Sequence, residues 1–388
     1  MKPKIAIYPA DGGGCGNYRM IWPGAAVRKL FSDQAEVLIS ADAPRIKLKW
    51  KEKFQGEPKE WSQLVDAEPE FPVDVMVFQR PLNCESIEVF RILRSNGIKI
   101  IVDLDDNFDR IDTKNAAWFG SEPYWHHVST LQDYANRYGR VTTRKISMDE
   151  EWHFVPEHLG RTHRLNVHKA LKHTDLLITS TKSIADHYKK FISNIIVIEN
   201  CIPESYFDIQ RSPASGDQSS TLGWTGTLAT HPDDFKSVGG SLLESKRKHD
   251  FTFKIIGDGI GIKEITGLEP DVVTGWVDIA DYPKEFATLD VAICPLNDSQ
   301  FNDSKSWLKP LEAAALGVVP IMSPSPEYVS LNKLGVGLIA SRPREWSSAI
   351  SKLVTNYAYM SELRVKGRAA AAELTVEKNA YKWLNAWT

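Results

Sequence analysis

The 388-residue sequence lacks three features that would assign it to a class of protein at once. Its four cysteines are Cys15, Cys84, Cys201 and Cys294. They show no paired spacing, which favours a reduced, cytoplasmic protein over a disulfide-stapled one. No apolar run approaches the ~20 residues of a membrane-spanning helix, so no integral membrane contact is expected. The net charge of −3 provides no general attraction for nucleic acid or an anionic lipid surface.

What the sequence does contain is an alternation of short apolar segments with helical patterns, which predicts an α/β protein with mostly parallel sheets. The predicted strands are residues 4–8, 36–39, 73–78, 99–102, 176–179, 195–199, 221–224, 251–256, 272–274, 291–294 and 318–322. The predicted helices are residues 18–31, 86–95, 163–172, 183–191, 233–248, 279–289, 310–316, 344–354 and 357–374.

The length and the pattern together indicate two Rossmann-like domains facing a cleft. Small polar residues at 212–220 form the best linker candidate. We therefore predict a first domain at 1–205, a second at 206–370, and a last helix at 371–388 that returns to the first. Residues 106–160 are rich in aromatic and charged side chains with weak periodicity, and we interpret them as a functional insertion with some helix and no strand.

Residues 304–317 are the most informative stretch of the sequence. Pro310 suits the first position of a helix, because its missing N–H would be unpaired there. Lys305 and Lys309 stand just before that start, and Glu312 falls in the first turn. A helix start with spare N–H groups and adjacent cations can hold a phosphate.

A glycine-rich loop directly follows the first predicted strand. Gly13 and Gly14 lie in this loop, and Arg19 lies in the helix after it. Glycines allow a ligand to approach the backbone closely. The spacing does not meet the dinucleotide-binding fingerprint, so a tight turn with Arg19 in a surface ion pair stays open as the alternative.

Three carboxylates follow a predicted strand, namely Asp103, Asp105 and Asp106. Because ligands in open α/β sheets bind beyond the carboxyl ends of strands, these side chains are candidates to hold sugar hydroxyls, an acceptor or a cation. A helix cap with a solvated turn is the alternative. His127 lies among aromatic residues of the insertion, which suit either a sugar face or a small core.

The second predicted domain opens with a strand that runs into a loop of small residues. Gly226, Thr227 and His231 lie at this loop and face the predicted cleft, where a diphosphate is one candidate ligand and a structural turn is the alternative. Gly257 and Trp276 lie at the ends of the next strands, where they border a base or belong to the core.

In the order and spacing of these motifs the chain resembles GT-B glycosyltransferases, specifically the large retaining group that includes glycogen-synthase-like and mannosyltransferase enzymes. The likeness covers nearly the whole chain and is strongest at residues 310–317 (Pro-Leu-Glu-Ala-Ala-Ala-Leu-Gly). It implies a UDP- or GDP-linked sugar as donor on the second domain and no further cofactor. It also implies an acceptor on the first domain, which is a glycan, a protein, a lipid-linked sugar or a modified nucleobase.

The chain departs from the family pattern at two positions. In the family, two glutamates with seven residues between them flank the donor, and the second binds the ribose; Glu312 matches the second, while Ser304 stands at the first. Thr227 stands where the family has an arginine for the diphosphate. Lys305 and Lys309 are the candidates to supply that charge, in which case no metal is required.

The resemblance thus implies a retaining transfer, with catalytic candidates on the first domain and donor-binding candidates on the second. The catalytic candidates are Arg19, Asp103, Asp105, Asp106 and His127. The donor-binding candidates are Gly13, Gly14, Gly226, Thr227, His231, Gly257, Trp276, Ser304, Lys305, Lys309 and Glu312. Two alternatives stay open: a catalytically degenerate nucleotide-sugar-binding protein, and a GT-B-fold sugar-nucleotide epimerase.

Overall fold

The structure, a computed structural model, describes residues 2–50, 64–81, 85–111, 115, 141–145, 152–156, 159–211, 219–231 and 233–388. It contains two compact units, each treated separately below. Unit 1 comprises Met1–Ile198 together with Tyr381–Thr388, and unit 2 comprises Glu199–Ala380. The predicted linker falls largely outside the described residues.

Unit 1 is built around one parallel sheet. The strands are β1 (Lys4–Tyr8), β2 (Glu36–Ile39), β3 (Ile46–Trp50), β4 (Leu64–Pro69), β5 (Val75–Gln79), β6 (Lys99–Leu104), β7 (Val141–Lys145), β8 (Trp152–Pro156), β9 (Leu176–Thr179) and β10 (Ile195–Val197). Six of them form a parallel sheet in the order β10-β9-β6-β5-β1-β2. Its central strands are continuous apolar runs, as expected for strands covered on both faces.

Helices connect the strands of this sheet. They are α1 (Gly14–Gly16), α2 (Trp22–Leu30), α3 (Glu85–Ser95), α4 (Leu159–Leu171) and α5 (Lys182–Tyr188). A π-helical turn, Asn17–Ile21, joins α1 to α2. Thr181 caps α5, because its hydroxyl oxygen accepts a hydrogen bond from the Ile184 N–H at 3.3 Å.

Two antiparallel hairpins, β3–β4 and β7–β8, lie outside the main sheet. The second hairpin falls inside the predicted insertion, so the expectation that residues 106–160 contain no strand was wrong. Its segments, Val-Thr-Thr-Arg-Lys and Trp-His-Phe-Val-Pro, are rich in β-branched and aromatic residues that favour strands. They are too short for periodicity alone to distinguish them from a loop.

Unit 2 contains a second parallel sheet. The strands are β11 (Ser220–Gly226), β12 (Phe251–Gly257), β13 (Val272–Val273), β14 (Val291–Cys294), β15 (Val319–Met322) and β16 (Leu338–Ile339). They run parallel in the order β13-β12-β11-β14-β15-β16. The prediction of an α/β chain with two parallel-sheet domains is thereby confirmed.

Helices pack around this second sheet. They are α6 (Ser241–Lys248), α7 (Ile262–Thr266), α8 (Tyr282–Phe286), α9 (Leu308–Ala315), α10 (Pro326–Lys333), α11 (Pro343–Thr355) and α12 (Tyr357–Ala371). The last helix, α13 (Val376–Trp387), begins in unit 2, and its residues from Tyr381 onward belong to unit 1. Aromatic side chains fill the interior; the Trp224 and Phe235 rings meet edge to face with centroids 5.1 Å apart. No helix in the described part of the chain is long and apolar enough to cross a membrane.

The predicted helix over residues 233–248 is broken in the structure. A 3-10 turn, Asp234–Ser237, precedes α6, and Gly239 between them adopts a φ of +52°. A left-handed residue cannot continue a right-handed helix, so the helix is interrupted there.

Candidate active site

The carboxyl ends of the parallel strands of unit 2 gather most of the predicted donor-binding residues. β11 ends at Gly226, β12 at Gly257 and β14 at Cys294, and α9 follows the loop after β14. In open parallel sheets this edge is where ligands bind.

The start of α9 lies at this edge. The helix begins at Leu308, so the prediction that Pro310 occupies the first helical position was wrong by two residues. Pro310 still lies in the first turn, where an N–H has no acceptor within the helix. The Leu311 N–H makes the first helical hydrogen bond, to the Trp307 carbonyl oxygen at 3.0 Å. The N–H groups of Leu308 and Lys309 therefore have no acceptor within the helix.

The segment before α9 is fixed by side-chain contacts. The Trp307 indole N–H donates to the Asn200 carbonyl oxygen at 2.9 Å, and the Asn200 amide donates to the Ser306 hydroxyl at 2.8 Å. Trp307 is buried. The chain that leads into the first turn of α9 is therefore held in a defined position.

Lys309 occupies that first turn and is half-buried. Its ammonium lies 5.3 Å from the centroid of a Trp224 ring, and it forms no ion pair with any carboxylate in the described part of the chain. Burial lowers the pKa of Lys309. Gly226 lies beside it, where a Cβ atom would stand 3.1 Å from the ammonium, and its φ of +136° is one that L side chains rarely adopt. The site thus holds a positive charge that an anion would stabilise.

Glu312 lies one turn after Lys309 and is 3% exposed. Its Oε2 accepts a hydrogen bond from the Tyr282 hydroxyl at 3.3 Å, and that hydroxyl lies 3.1 Å from the Thr225 hydroxyl. Burial, together with the Glu312 carboxylate, raises the pKa of Tyr282 well above its usual value, so the phenol stays a donor. These contacts orient the carboxylate at the same sheet edge.

His231 and Asp234 form a hydrogen-bonded pair next to Lys309. His231 Nδ1 lies 2.7 Å from Asp234 Oδ2, and Asp234 Oδ1 also accepts from the Asn302 amide at 2.7 Å and the Asn297 N–H at 3.1 Å. Burial raises the pKa of Asp234, but these hydrogen bonds outweigh it and lower the pKa overall. Burial and the Lys309 ammonium lower the pKa of His231 to about 4, so the ring is neutral.

The loop after β11 is tied to the end of β12. The Thr227 hydroxyl donates to Asp258 Oδ2 at 3.1 Å and accepts from the Ala229 N–H at 3.1 Å, while the Asp258 N–H donates to the Gly226 carbonyl oxygen at 2.9 Å. Gly257 adopts a φ of +120°. Thr227 therefore shapes the loop with its hydroxyl.

Gly257→Ala is expected to destabilise unit 2 by about 2–4 kcal/mol. A Cβ atom at this position would stand 2.3 Å from the Gly226 carbonyl oxygen, and the φ of +120° is rarely adopted by L side chains. Denaturant titration measures the loss. Gly240→Ala is the matched control, because no atom lies within 4 Å of its Cβ position; equal losses in the two variants would contradict the strain argument.

Three further donor-binding candidates have different surroundings. Ser304 is 1% exposed, and its hydroxyl donates to the Gln300 carbonyl oxygen at 3.2 Å. The Lys305 ammonium lies 4.3 Å from the centroid of the Phe301 ring. Trp276 is 81% exposed, so its indole is available as a stacking surface.

Glu327, in the first turn of α10, is a titrating carboxylate that the sequence analysis missed. Burial, and then the Glu199 carboxylate, raise the pKa of Glu327 to about 7. An unfolded glutamate titrates near pH ~4.3, so between about pH 4.5 and 7 the folded state binds more protons than the unfolded state. Stability contributed by this group therefore falls as the pH rises through that window.

We expect Glu327→Gln to match the wild type in stability at about pH 4 and to exceed it at about pH 8 by roughly 1–2 kcal/mol, after allowance for partial exposure. Denaturant titrations at both pH values test this. Glu264→Gln, at an exposed position of α7, is the control for the substitution itself. A Glu327→Gln protein less stable than the wild type at pH 8 would refute the expectation.

In unit 1, two of the catalytic candidates pair with each other inside the fold. Arg19 Nε and Nη2 donate to the two Asp103 carboxylate oxygens at 2.9 Å and 2.8 Å, and Arg19 Nη1 donates to the Ile198 carbonyl oxygen at 2.6 Å. Both side chains are 1% exposed. The alternative of a surface pair for Arg19 was therefore wrong about its environment, because the pair is buried.

Asp105 pairs with Arg80, a residue that the sequence analysis missed. Arg80 Nε and Nη2 donate to the Asp105 carboxylate at 2.6 Å and 2.5 Å, and Arg80 has a φ of +50°. Burial alone would raise the pKa of Asp105, but the Arg80 guanidinium lowers it to about 2. Asp106, the next residue, is half-buried at the same carboxyl end of β6. The signal for Arg80 was its place two residues after the end of the predicted strand at 73–78, and it directly follows β5 in the structure.

The glycine-rich loop binds a carboxylate of its own chain. Asp11 Oδ1 accepts from the Gly13 N–H at 2.9 Å and the Gly16 N–H at 3.0 Å. Gly16 has no room for a side chain, because a Cβ atom would stand 1.8 Å from the Asp11 carbonyl oxygen. Gly14 is exposed at the start of α1, with no atom within 4 Å of its Cβ position.

His127 lies outside the described residues. Across the described ranges, no group of three or more histidine, cysteine, aspartate or glutamate side chains has the arrangement of a metal site.

Residues 220–356 match the family model described as Glycosyl transferases group 1. No curated protein matches the chain in sequence. Sucrose-phosphate synthase from Thermosynechococcus elongatus is similar in structure, with a TM-score of 0.58, 13% identity, and coverage of 99% of this chain and 97% of that one.

Two further solved structures are similar over their whole length. Anabaena Alr3699/HepE in complex with UDP-glucose has a TM-score of 0.55 and 14% identity, with 99% of each chain covered. A glycosyltransferase from Rickettsia africae ESF-5 has a TM-score of 0.54 and 11% identity, with 100% of this chain and 98% of that one covered. At these identities the likeness shows the fold alone.

Proposed function

We propose, on the premise that this chain is a GT-B glycosyltransferase with a group 1 domain at residues 220–356, that it transfers a sugar from a UDP- or GDP-linked donor to an acceptor hydroxyl with retention of configuration. The UDP-glucose in the similar Anabaena structure supports a nucleotide-sugar donor.

The observation that carries the proposal is Lys309 on the first turn of α9, which forms no ion pair in the described part of the chain, with the buried Glu312 carboxylate one turn later. A nucleoside diphosphate is an anion that carries ribose hydroxyls. Lys309 and the helix start suit the anion, and Glu312 suits the hydroxyls. Because negative charge on the diphosphate grows as the glycosidic bond breaks, a fixed cation there lowers the barrier to transfer.

In this proposal Lys305, Lys309 and the loop after Gly226 hold the diphosphate, Glu312 binds the ribose, and Trp276 borders the base. The protein's own cations neutralise the leaving group without a metal. The donor binds within the group 1 domain. We expect the protein to be cytoplasmic.

On the acceptor side, Asp105 and Asp106 at the carboxyl end of β6 are the proposed contacts. The low pKa of Asp105 keeps it ionised as an acceptor of hydrogen bonds from hydroxyl groups. Its pairing with Arg80 fixes its orientation. The acceptor is a glycan, a protein, a lipid-linked sugar or a modified nucleobase.

One observation favours a second candidate function, a nucleotide-sugar-binding protein with a degenerate site. Ser304 replaces a donor-side glutamate of the family, and its buried hydroxyl donates a hydrogen bond to the Gln300 carbonyl oxygen. Such a protein would bind the donor without transferring the sugar.

Calorimetric titration with UDP-glucose and GDP-glucose, followed by assays for donor hydrolysis, separates these candidates. Binding with release of the nucleoside diphosphate supports the transferase. Tight binding with no turnover, in the presence or absence of sugar acceptors, supports the degenerate site. Absence of binding to both kinds of donor overturns both proposals.

A further inference from the structure

We propose that His231 takes up a proton when the donor diphosphate binds, and that the resulting imidazolium donates its Nε2–H to a phosphate oxygen. This inference rests on the proposed donor site in unit 2. It assigns to one side chain a role that the family resemblance leaves to an arginine, at a position where this chain has Thr227 instead.

The hydrogen-bonding of the ring leaves one nitrogen for a ligand. His231 Nδ1 faces Asp234 Oδ2 at 2.7 Å, and no residue in the described part of the chain bonds to Nε2. Asp234 is itself fixed by Asn302 and Asn297. A carboxylate that accepts from Nδ1–H sets the tautomer, so Nε2 carries the lone pair when the ring is neutral.

The charged groups that face His231 are Asp234, Lys309 and Lys305. Without ligand, burial and the two ammonium groups keep the ring neutral despite the aspartate, and its pKa is about 4. A diphosphate diester brings two negative charges to the same cations. It thereby removes the repulsion that keeps the ring unprotonated and makes a cationic ring favourable.

The proton balance is simple. A neutral ring would direct its Nε2 lone pair at phosphate oxygens, which are themselves only acceptors. One proton from solvent adds to Nε2, Nδ1–H stays on Asp234, and Asp234 stays ionised. The donor complex then contains a charge-assisted N–H···O⁻ hydrogen bond in place of a repulsive contact.

The linkage between protons and ligand has a definite sign. The complex binds more protons than the free protein at any pH between about 4 and the raised pKa of His231 in the complex. Donor affinity therefore rises as the pH falls through that window, by up to about tenfold per pH unit. We expect the dissociation constant for UDP-glucose to be at least about threefold larger at pH 7.5 than at pH 5.5.

Calorimetry of the full-length protein with UDP-glucose at pH 6, in buffers of different ionisation enthalpy, measures the number of protons taken up. UDP-glucose is chosen because its diphosphate diester has no group of its own that titrates near this pH. The wild type is expected to take up a substantial fraction of one proton. His231→Gln is expected to take up none and to lose the pH dependence of affinity. His249→Gln, which alters a half-buried histidine bonded to Ser351, is the matched control and should behave like the wild type.

Asp234→Asn provides a second variant, since it removes the carboxylate that stabilises the imidazolium, and it should reduce the uptake. If wild-type binding is accompanied by no proton uptake, or if uptake persists unchanged in His231→Gln, the inference is wrong while the proposed function stands. If neither UDP-glucose nor GDP-glucose binds the wild type, the proposed function itself fails, and the inference fails with it.

Discussion

Replacement of Lys309 by methionine is expected to lower kcat/KM for the donor by about 10²–10³-fold while leaving unit 2 folded. Methionine keeps the unbranched side chain that fills the space beside Trp224 and Gly226. It removes only the charge. Because Lys309 has no ion-pair partner in the described part of the chain, its loss leaves no carboxylate unpaired there.

The expected effect is large because the charge acts where water is partly excluded. A fixed cation in a half-buried site stabilises the departing diphosphate more strongly than one in bulk water. The loss should fall on kcat as well as on KM, since negative charge on the diphosphate increases in the transition state. Folded stability should change little or even rise, because burial of an unpaired ammonium is itself unfavourable.

Donor hydrolysis or transfer assays, with thermal unfolding as the check on folding, test this prediction. Lys333→Met, at an exposed position in the last turn of α10, is the control and should keep wild-type kinetics. A folded Lys309→Met enzyme with activity within about threefold of the wild type would show that the diphosphate does not lie at the start of α9.

The central strands were predictable from sequence because parallel strands buried on both faces are continuous apolar runs. The predicted bounds of β1, β9 and β14 equal the observed ones. β16 contains only two residues, Leu338–Ile339, which is too short for any periodicity. The two hairpins were not predicted, because their pairing depends on which segments meet, and the sequence of one strand does not identify its partner.

Within the site, the proximity of side chains close in sequence could be predicted, and the pairing of side chains far apart in sequence could not. Lys309 and Glu312 are three residues apart on one helix, so their proximity follows from the sequence. Arg19 and Asp103 are 84 residues apart, and only the sheet brings them together. The hydrogen bonds from the glycine-loop N–H groups to Asp11 could not be predicted either, because a carboxylate beside glycines also suits a ligand site.

Arg19→Met is expected to destabilise the protein by about 3–5 kcal/mol, the cost of leaving a buried carboxylate without its partner. Arg19 supplies both hydrogen bonds to Asp103 and one to the Ile198 carbonyl oxygen, with each side chain 1% exposed. Denaturant titration followed by circular dichroism measures the loss. Arg28→Met, which breaks an exposed pair with Asp42, should cost no more than about 1 kcal/mol.

The double variant Arg19→Met with Asp103→Leu separates a structural role from a catalytic one. An apolar replacement of both partners removes the unpaired charge, so it should recover much of the stability lost in Arg19→Met. If the pair is structural, the double variant should also keep most of its donor affinity and turnover at a temperature where it is folded. A folded double variant with wild-type donor affinity but no turnover would instead place Arg19 or Asp103 in contact with the reacting groups.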